Sequence, residues 1–78
     1  PNPFNPRVNI PIYLENKSHI KLNIYDIHGK LVVSLADGVF LAGNTVLHWD
    51  GTAYANGIYF VHLQGNNELQ TQKIILLK

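Results

Sequence analysis

The sequence has no cysteine and no methionine among its 78 residues. Without cysteine there is no disulfide and no thiolate metal site, so apolar burial and backbone hydrogen bonds must stabilise the fold. Isoleucine, leucine and valine supply 24 residues, far more than a disordered chain of this length carries. Because the chain starts Pro1-Asn2-Pro3 and has no methionine, we expect it to be a piece of a longer protein.

The sequence also lacks a surplus of either charge and any long hydrophobic run. Six basic residues stand against five acidic ones, the lysines are scattered, and the net charge is +1. Nucleic-acid-binding domains carry a clustered basic surface, so we expect no nucleic-acid partner. No apolar run exceeds four residues. A membrane-spanning helix needs about 20, so we also expect no transmembrane segment.

What the sequence does contain is apolar residues that alternate with polar ones, the pattern of β-strands. No window has the spacing of an amphipathic helix, and turn residues divide the chain at short intervals. Pro11 places the first strand at a sheet edge, where its missing N–H costs no ladder bond. The seven predicted strands span residues 8–14, 19–26, 30–35, 38–41, 45–49, 57–64 and 68–77.

Two short segments between these strands have the composition of tight turns. Asp26-Ile27-His28-Gly29 is typical of a type I turn, in which Asp26 accepts backbone bonds and Gly29 adopts a positive φ. Gly65-Asn66-Asn67 is typical of a hairpin connection, because Gly and Asn tolerate left-handed geometry. The last two strands are therefore predicted to be hairpin neighbours.

Short antiparallel strands at this spacing predict an all-β fold, an immunoglobulin-like β-sandwich of about seven strands. We expect a single domain over residues 1–78, with 1–7 as an extended proline-rich lead-in and 8–78 as the sandwich. The last strand is ambiguous, because residues 74–77 are apolar on both faces. The predicted core consists of Ile10, Ile12, Leu14, Ile20, Leu22, Ile24, Leu31, Val33, Leu47, Trp49, Tyr59, Val61, Leu63, Ile75 and Leu77.

Groups that could carry catalysis or hold a metal are few. The only serines are Ser18 and Ser34, and no spacing places either with a histidine and an acid as a triad requires. The acidic residues sit at turns and strand ends, where Asp is expected for local backbone bonding. His48 and His62 fall on strands that could be neighbours, but further ligands are lacking and outward-facing histidines explain them as well. We expect no enzyme, no cofactor and no metal site.

Aromatic residues offer one alternative, a platform on which sugar rings stack. Trp49, Tyr54, Tyr59, Phe60 and Tyr25 could form it, with Tyr54 in a loop as the best candidate for an exposed ring. A tryptophan at a strand end is more often part of the core, which argues against this platform. Because Tyr54 could still present an exposed ring, a carbohydrate-binding module stays open as an alternative.

Five segments follow one another in an order that resembles the C-terminal sorting domain (type A) of proteins exported by the bacterial type IX secretion system. The resemblance covers essentially the whole chain. Each segment alone is an ordinary turn or strand, and the specificity lies in their order and spacing. The segments are Pro1-Asn2-Pro3-Phe4-Asn5-Pro6, Ile24-Tyr25-Asp26-Ile27-His28-Gly29-Lys30, Trp49-Asp50-Gly51 (preceded by Gly43), Asn56-Gly57-Ile58-Tyr59-Phe60 and Gln72-Lys73-Ile74-Ile75-Leu76-Leu77-Lys78.

The resemblance implies a non-catalytic signal domain that follows a cargo protein. It implies recognition by the type IX outer-membrane translocon, and passage through the periplasm to the cell surface or extracellular space. It also implies removal of the domain by a sortase-like peptidase, with anchoring of the cargo at the surface. The recognition residues that it implies are Pro1, Pro3, Gly57, Tyr59, Lys73 and Lys78.

Two further interpretations stay open beside this one. The sandwich could be an inert spacer, or a domain like the immunoglobulin-like domain of flagellar hook-capping proteins. Lys73 and Lys78 likewise have two explanations, since lysine on an edge strand also protects that edge from aggregation.

Overall fold

The computed structural model describes residues 6–65 and 68–78, and these form six β-strands. Pro1 and Pro3, and the turn residues Asn66 and Asn67, lie outside the described residues. Within the described part, no helix has the length and apolarity that crossing a membrane requires. The strands are β1 (Arg7–Leu14), β2 (Ser18–Tyr25), β3 (Leu31–Phe40), β4 (Gly43–Asp50), β5 (Gly57–Gly65) and β6 (Glu68–Leu76).

The strands form two antiparallel sheets. β1 pairs with β4 in a small sheet, and the other strands form a large sheet in the order β3-β2-β5-β6. This confirms the predicted all-β sandwich. It also confirms that β1 is an edge strand, since β4 is its one partner among the described strands and Pro11 lies opposite Val46. β3 and β6 are the two outermost strands of the large sheet.

The predicted strands 30–35 and 38–41 are one continuous strand, β3, so the described residues hold six strands rather than seven. The prediction left residues 36–37 between two strands, but Asp37 and Gly38 pair across to β2, opposite Lys21 and Ile20. Oδ1 of Asp37 lies 2.7 Å from Nε2 of His19. That hydrogen bond lowers the pKa of the Asp37 carboxyl. A side chain that bonds to the neighbouring strand supports the strand instead of a turn.

The core lies between the sheets and is centred on β2, where Ile20, Leu22 and Ile24 are almost completely buried. Of the other predicted core residues, the buried ones are Ile10, Ile12, Trp49, Tyr59 and Val61. Half-buried side chains that pack against this core are Leu14, Val33, Leu47 and Leu63.

The prediction was wrong about which face of the last strand is buried. Ile74 and Leu76 are buried, whereas Ile75 is 58% and Leu77 53% exposed. The register explains this, because Ile74 lies opposite Tyr59 and therefore shares its inward face. Leu31, also predicted as core, is 50% exposed at the start of β3.

The turn between β2 and β3 forms as predicted. The N–H of Gly29 donates to the carbonyl of Asp26 at 3.0 Å, and Gly29 has a φ of 79°. Oδ1 of Asp26 accepts the N–H groups of His28 at 2.8 Å and Lys30 at 3.0 Å. The hydrogen bond from Lys30, followed by that from His28, lowers the pKa of the Asp26 carboxyl. The turn therefore stabilises the ionised side chain.

Candidate recognition surface

The segment Trp49-Asp50-Gly51 joins the small sheet to the large one. Trp49 is buried, and its ring meets that of Tyr59 edge-on with centroids 5.0 Å apart. The N–H of Gly51 donates to the carbonyl of Pro6 at 2.9 Å. A Cβ at Gly51 would lie only 2.5 Å from Cδ1 of the buried Leu76, so only glycine lets the loop approach β6 this closely. The segment is a packing device between the sheets.

Asp50 organises the loop that follows. Its Oδ1 accepts the hydroxyl of Thr52 at 2.5 Å and the Thr52 N–H at 3.0 Å. These hydrogen bonds, the hydroxyl first, together with the positive charge of Arg7, lower the pKa of the Asp50 carboxyl. Asp50 is thus a local turn former with an exposed, ionised side chain.

Gly57 and Tyr59 lie at the start of β5, and both have clear structural tasks. Gly57 opens the strand with a φ of 150°, a conformation that side chains disfavour. The Tyr59 ring is buried, and its hydroxyl donates to the carbonyl of Ala55 at 2.7 Å. This confirms that Tyr59 fills the core while its hydroxyl finds a polar partner.

The predicted aromatic platform does not form. Trp49 and Tyr59 are in the core, and Tyr54 is half-buried with its ring centroid 5.4 Å from that of Trp49. The expectation that Tyr54 presents an exposed ring was therefore wrong, because the loop folds back over Trp49. Tyr25 and Phe60 lie apart from this group, on the outer face of the large sheet, where they are half-buried.

Lys73 and Lys78 differ in their surroundings. Lys73 lies on β6 opposite Phe60 and is exposed. Lys78 is tied to the loop before β5, since its N–H donates to Oδ1 of Asn56 at 3.0 Å and its Nζ to the carbonyl of Thr52 at 3.2 Å. The structure therefore gathers Gly57, Tyr59 and Lys78 around one loop, with Lys73 farther along β6. Pro1 and Pro3 lie outside the described residues.

Sequence reasoning missed the outer face of the large sheet as a candidate surface. Outward positions of β5 and β6 carry Ile58 opposite Ile75, which are 40% and 58% exposed. Phe60 and Tyr25 lie next to each other in the following row, and Leu31 faces Tyr25 from β3. The signal was present in the sequence, because residues 58–61 and 74–77 are apolar at both alternating positions.

The two histidines that could have shared a metal lie on different sheets, so the strands that carry them are not neighbours. His48 is on β4, with Nδ1 2.7 Å from Oδ1 of Asn9, and His62 is on β5, with its ring centroid 4.7 Å from that of Tyr25. Among residues 6–65 and 68–78 no group of three or more potential ligands could hold a metal ion. Ser18 is buried, and its hydroxyl donates to the carbonyl of Asn16 at 2.7 Å.

Comparison with known families identifies the chain. The family model described as secretion system C-terminal sorting domain matches residues 1–77, which is essentially the whole sequence. Neither the curated proteins nor the solved structures include a match. The family acts as a sorting signal and is generally non-catalytic. Such a domain implies contact with the type IX machinery and a cargo protein, and export to the cell surface or extracellular space. The chain therefore belongs to the family of secretion system C-terminal sorting domains, the sorting signals of type IX secretion.

Proposed function

We propose that this domain carries no catalysis and is recognised by the outer-membrane translocon of the type IX system after its cargo reaches the periplasm. The single observation that carries this proposal is the position of β6 at one edge of the large sheet, with Lys73 exposed on it. The free backbone edge of such a strand can be extended by a strand of a partner. Recognition would then use the folded shape of the domain.

The side of the sandwich beside β6 is suited to strand addition. A groove of about 440 Å³ runs between β6 and β1, lined by Ile12, Val61 and Leu63 and by the polar residues Gln70 and Gln72. A strand added along β6 could place alternate side chains into this groove. The opposite wall, β1, is less suited to pair with an added strand.

The two walls differ in their backbone. Pro11 in β1 has no N–H to donate, whereas β6 has no proline between Glu68 and Leu76. Of these two walls, β6 is therefore the one that offers a partner strand a complete set of donors and acceptors. This asymmetry favours β6 as the recognition edge.

Three other predicted recognition residues hold β6 in position. Gly57 and Tyr59 shape the start of β5, and Lys78 ties the end of the chain to the loop at Thr52 and Asn56. We assign these residues to the positioning of β6 and reserve direct contact for Lys73.

We further propose that a sortase-like peptidase separates the domain from its cargo at the cell surface, where the cargo is anchored. The prolines of the lead-in, Pro1 and Pro3, would keep the junction extended and accessible to that peptidase.

A fusion of residues 1–78 to a periplasmic reporter in a type IX host tests the proposal. We expect the reporter outside the cell in the intact host and in the periplasm of a strain that lacks the outer-membrane translocon. The same reporter without residues 1–78 is the control. Retention in the periplasm of the intact host, or equal export in both strains, would refute the proposed function.

A further inference from the structure

We propose that the outer face of the large sheet is a second recognition site, where a shallow apolar depression beside Lys73 takes an apolar side chain and a neighbouring carboxylate from a protein partner. This inference rests on the proposed function, because it identifies that partner with a component of the export machinery. It adds a surface that is separate from the free backbone edge of β6.

The site is built on a continuous apolar surface, which we name the outer band. Its members lie on all strands of the large sheet and share the face that points away from the small sheet. Three of its five side chains are 40–58% exposed, although isolated apolar residues, not connected patches, are usual on monomeric proteins. The outer band consists of Leu31, Tyr25, Phe60, Ile58 and Ile75.

A depression of about 390 Å³ lies where this surface meets the turn between β2 and β3. The rings of Tyr25 and His62, with centroids 4.7 Å apart, line it together with Phe60. Ile27, which is 63% exposed in the adjacent turn, contributes to the opposite wall. The volume and the aromatic lining suit one leucine or phenylalanine side chain, the kind of anchor on which most interface affinity depends.

Lys73 supplies the charge beside this depression. It lies opposite Phe60 on the neighbouring strand, so its Cβ is about 5 Å from the Cβ of Phe60, whose ring lines the depression. No described acidic residue forms an ion pair with Lys73. The carboxylate in the lining, Asp26, accepts two backbone N–H groups of its own turn. A partner carboxylate placed at Lys73 would therefore be complementary to the charge of that lysine.

The same charges argue against two other occupants. A second copy packed face to face would bring two Lys73 side chains into one interface, whose carboxylates Asp26 and Asp37 already bind their own turn and His19. An anionic membrane is typically bound by a cluster of about 4–8 lysines or arginines. The outward lysines of this face are Lys21 and Lys73, and Asp37 lies opposite Lys21. A single lysine in an apolar setting fits one carboxylate of a protein.

The outer face of the small sheet provides a matched control. Its cross-strand pairs are mostly polar, with Arg7 opposite Asp50 and Asn9 opposite His48. Val46 is the exposed aliphatic side chain of this face at 49%, close to the 58% of Ile75. The same substitution at these positions changes exposed apolar area on opposite faces of one domain.

The test measures export of the reporter fused to residues 1–78 in a type IX host. We expect Ile75→Asn and Lys73→Glu each to lower the export rate roughly tenfold, as expected when an interface anchor or its charge partner is lost. Lys73→Arg, which keeps the charge, should lose less export than Lys73→Glu, and Val46→Asn should stay within about twofold of the parent sequence. Thermal unfolding of the purified variants checks that each of them is folded.

A photocrosslinking residue identifies the occupant. We expect Phe60→p-benzoylphenylalanine to crosslink to an outer-membrane component of the export machinery, and Val46→p-benzoylphenylalanine to give no such product. Crosslinks from position 60 only to a second copy of the chain or only to lipid would overturn the inference.

Failure of the inference is distinguishable from failure of the proposed function. If the parent sequence is exported and folded Ile75→Asn and Lys73→Glu variants are exported equally well, the outer band has no role and Lys73 makes no direct contact, while the sorting function of the domain stands. If the parent sequence itself is not exported, the proposed function fails and the inference fails with it.

Discussion

The two sheets of this domain contribute unequally to its core and differ in their outer faces. The buried core residues of the large sheet are Ile20, Leu22, Ile24, Tyr59, Val61, Ile74 and Leu76, and those of the small sheet are Ile10, Ile12 and Trp49. On the outside, the large sheet presents the outer band, whereas the small sheet presents mainly polar pairs. The small sheet thus acts as an amphipathic cover, and the large sheet carries both the stability and the surface for a partner.

This difference shows how a domain of 78 residues can combine stability with recognition. A small core must be efficient, because ordering costs roughly 1.5 kcal/mol per residue. The large sheet achieves this with β2 and β5 at its centre, each flanked by two strands. The contact between the sheets depends on Trp49 and on the close approach of Gly51 to Leu76.

Substitutions in the core give the strongest test of the difference between the two sheets. Leu22→Ala in the large sheet removes a side chain that is 0% exposed, and we expect it to lower the free energy of unfolding by about 3–5 kcal/mol. Ile12→Ala in the small sheet, where Ile12 is 6% exposed beside an open groove, should cost about 2–3 kcal/mol. Urea denaturation of both variants measures the difference. Equal losses would contradict the dominance of the large sheet.

A smaller effect is expected where the sheets meet. Gly51→Ala places a methyl group within 2.5 Å of Leu76 Cδ1 and should cost about 1–3 kcal/mol, because Leu76 is fully buried. Gly38→Ala is the control, since no atom lies within 4 Å of its added Cβ and its φ is ordinary. Thermal unfolding measures the stability of the Gly51→Ala and Gly38→Ala variants. A Gly51→Ala variant as stable as Gly38→Ala would show that the contact between loop and β6 carries no constraint.

The hydrogen bond of Tyr59 is a further link within the large sheet. Tyr59→Phe keeps the buried ring and removes the donor to the Ala55 carbonyl, so we expect a loss of about 1 kcal/mol. Tyr13→Phe in the small sheet removes a hydroxyl from a side chain that is 63% exposed and should change stability by a few tenths at most. Urea denaturation measures the free energy of unfolding of both variants. The interpretation is wrong if both variants match the parent.

The smallest expected effect is the pH dependence of the exposed carboxylates. Hydrogen bonds lower the pKa of Asp26 and Asp50 below the ordinary value of 3.8. A lowered folded-state pKa contributes stability above the unfolded pKa and loses it as the pH falls through the folded pKa. Acidification from pH 7 to about pH 2.5 should therefore weaken the domain, and Asp26→Asn and Asp50→Asn should each weaken that dependence.

Denaturation curves of the parent and both variants at the two pH values measure this effect. Asn keeps an acceptor oxygen but cannot ionise, so the substitution isolates the charge. Acid losses in both variants as large as that of the parent would contradict the assignment. A larger reduction for one variant would show which sheet depends more on its turn carboxylate.

Several features of the fold were predictable because they depend on neighbours in the sequence. The turn at Asp26–Gly29 follows from residues that bond within four positions of each other. The edge position of β1 follows from the missing N–H of Pro11, and the burial of Trp49 from its place at a strand end. The order of the motifs also predicted the family that residues 1–77 match.

Other features depend on partners distant in the sequence and were not predictable. Strands 30–35 and 38–41 were predicted to be separate until the pairing of Asp37 and Gly38 with β2 made β3 continuous. Tyr54 suggested an exposed ring until the loop packed it on Trp49. His48 and His62 suggested neighbours until the topology placed them on different sheets.

The class of structure, the strand alternation and the family follow from the sequence, because they depend on composition and on the spacing of residues along the chain. Which face of β6 is buried follows from strand pairing. Ile74, Ile75, Leu76 and Leu77 are apolar in an unbroken run, and alternation alone offers no choice between its two faces. The pairing of Tyr59 with Ile74 makes that choice. It buries Ile74 and Leu76 in the core and leaves Ile75 beside Lys73, on the face where we place the partner.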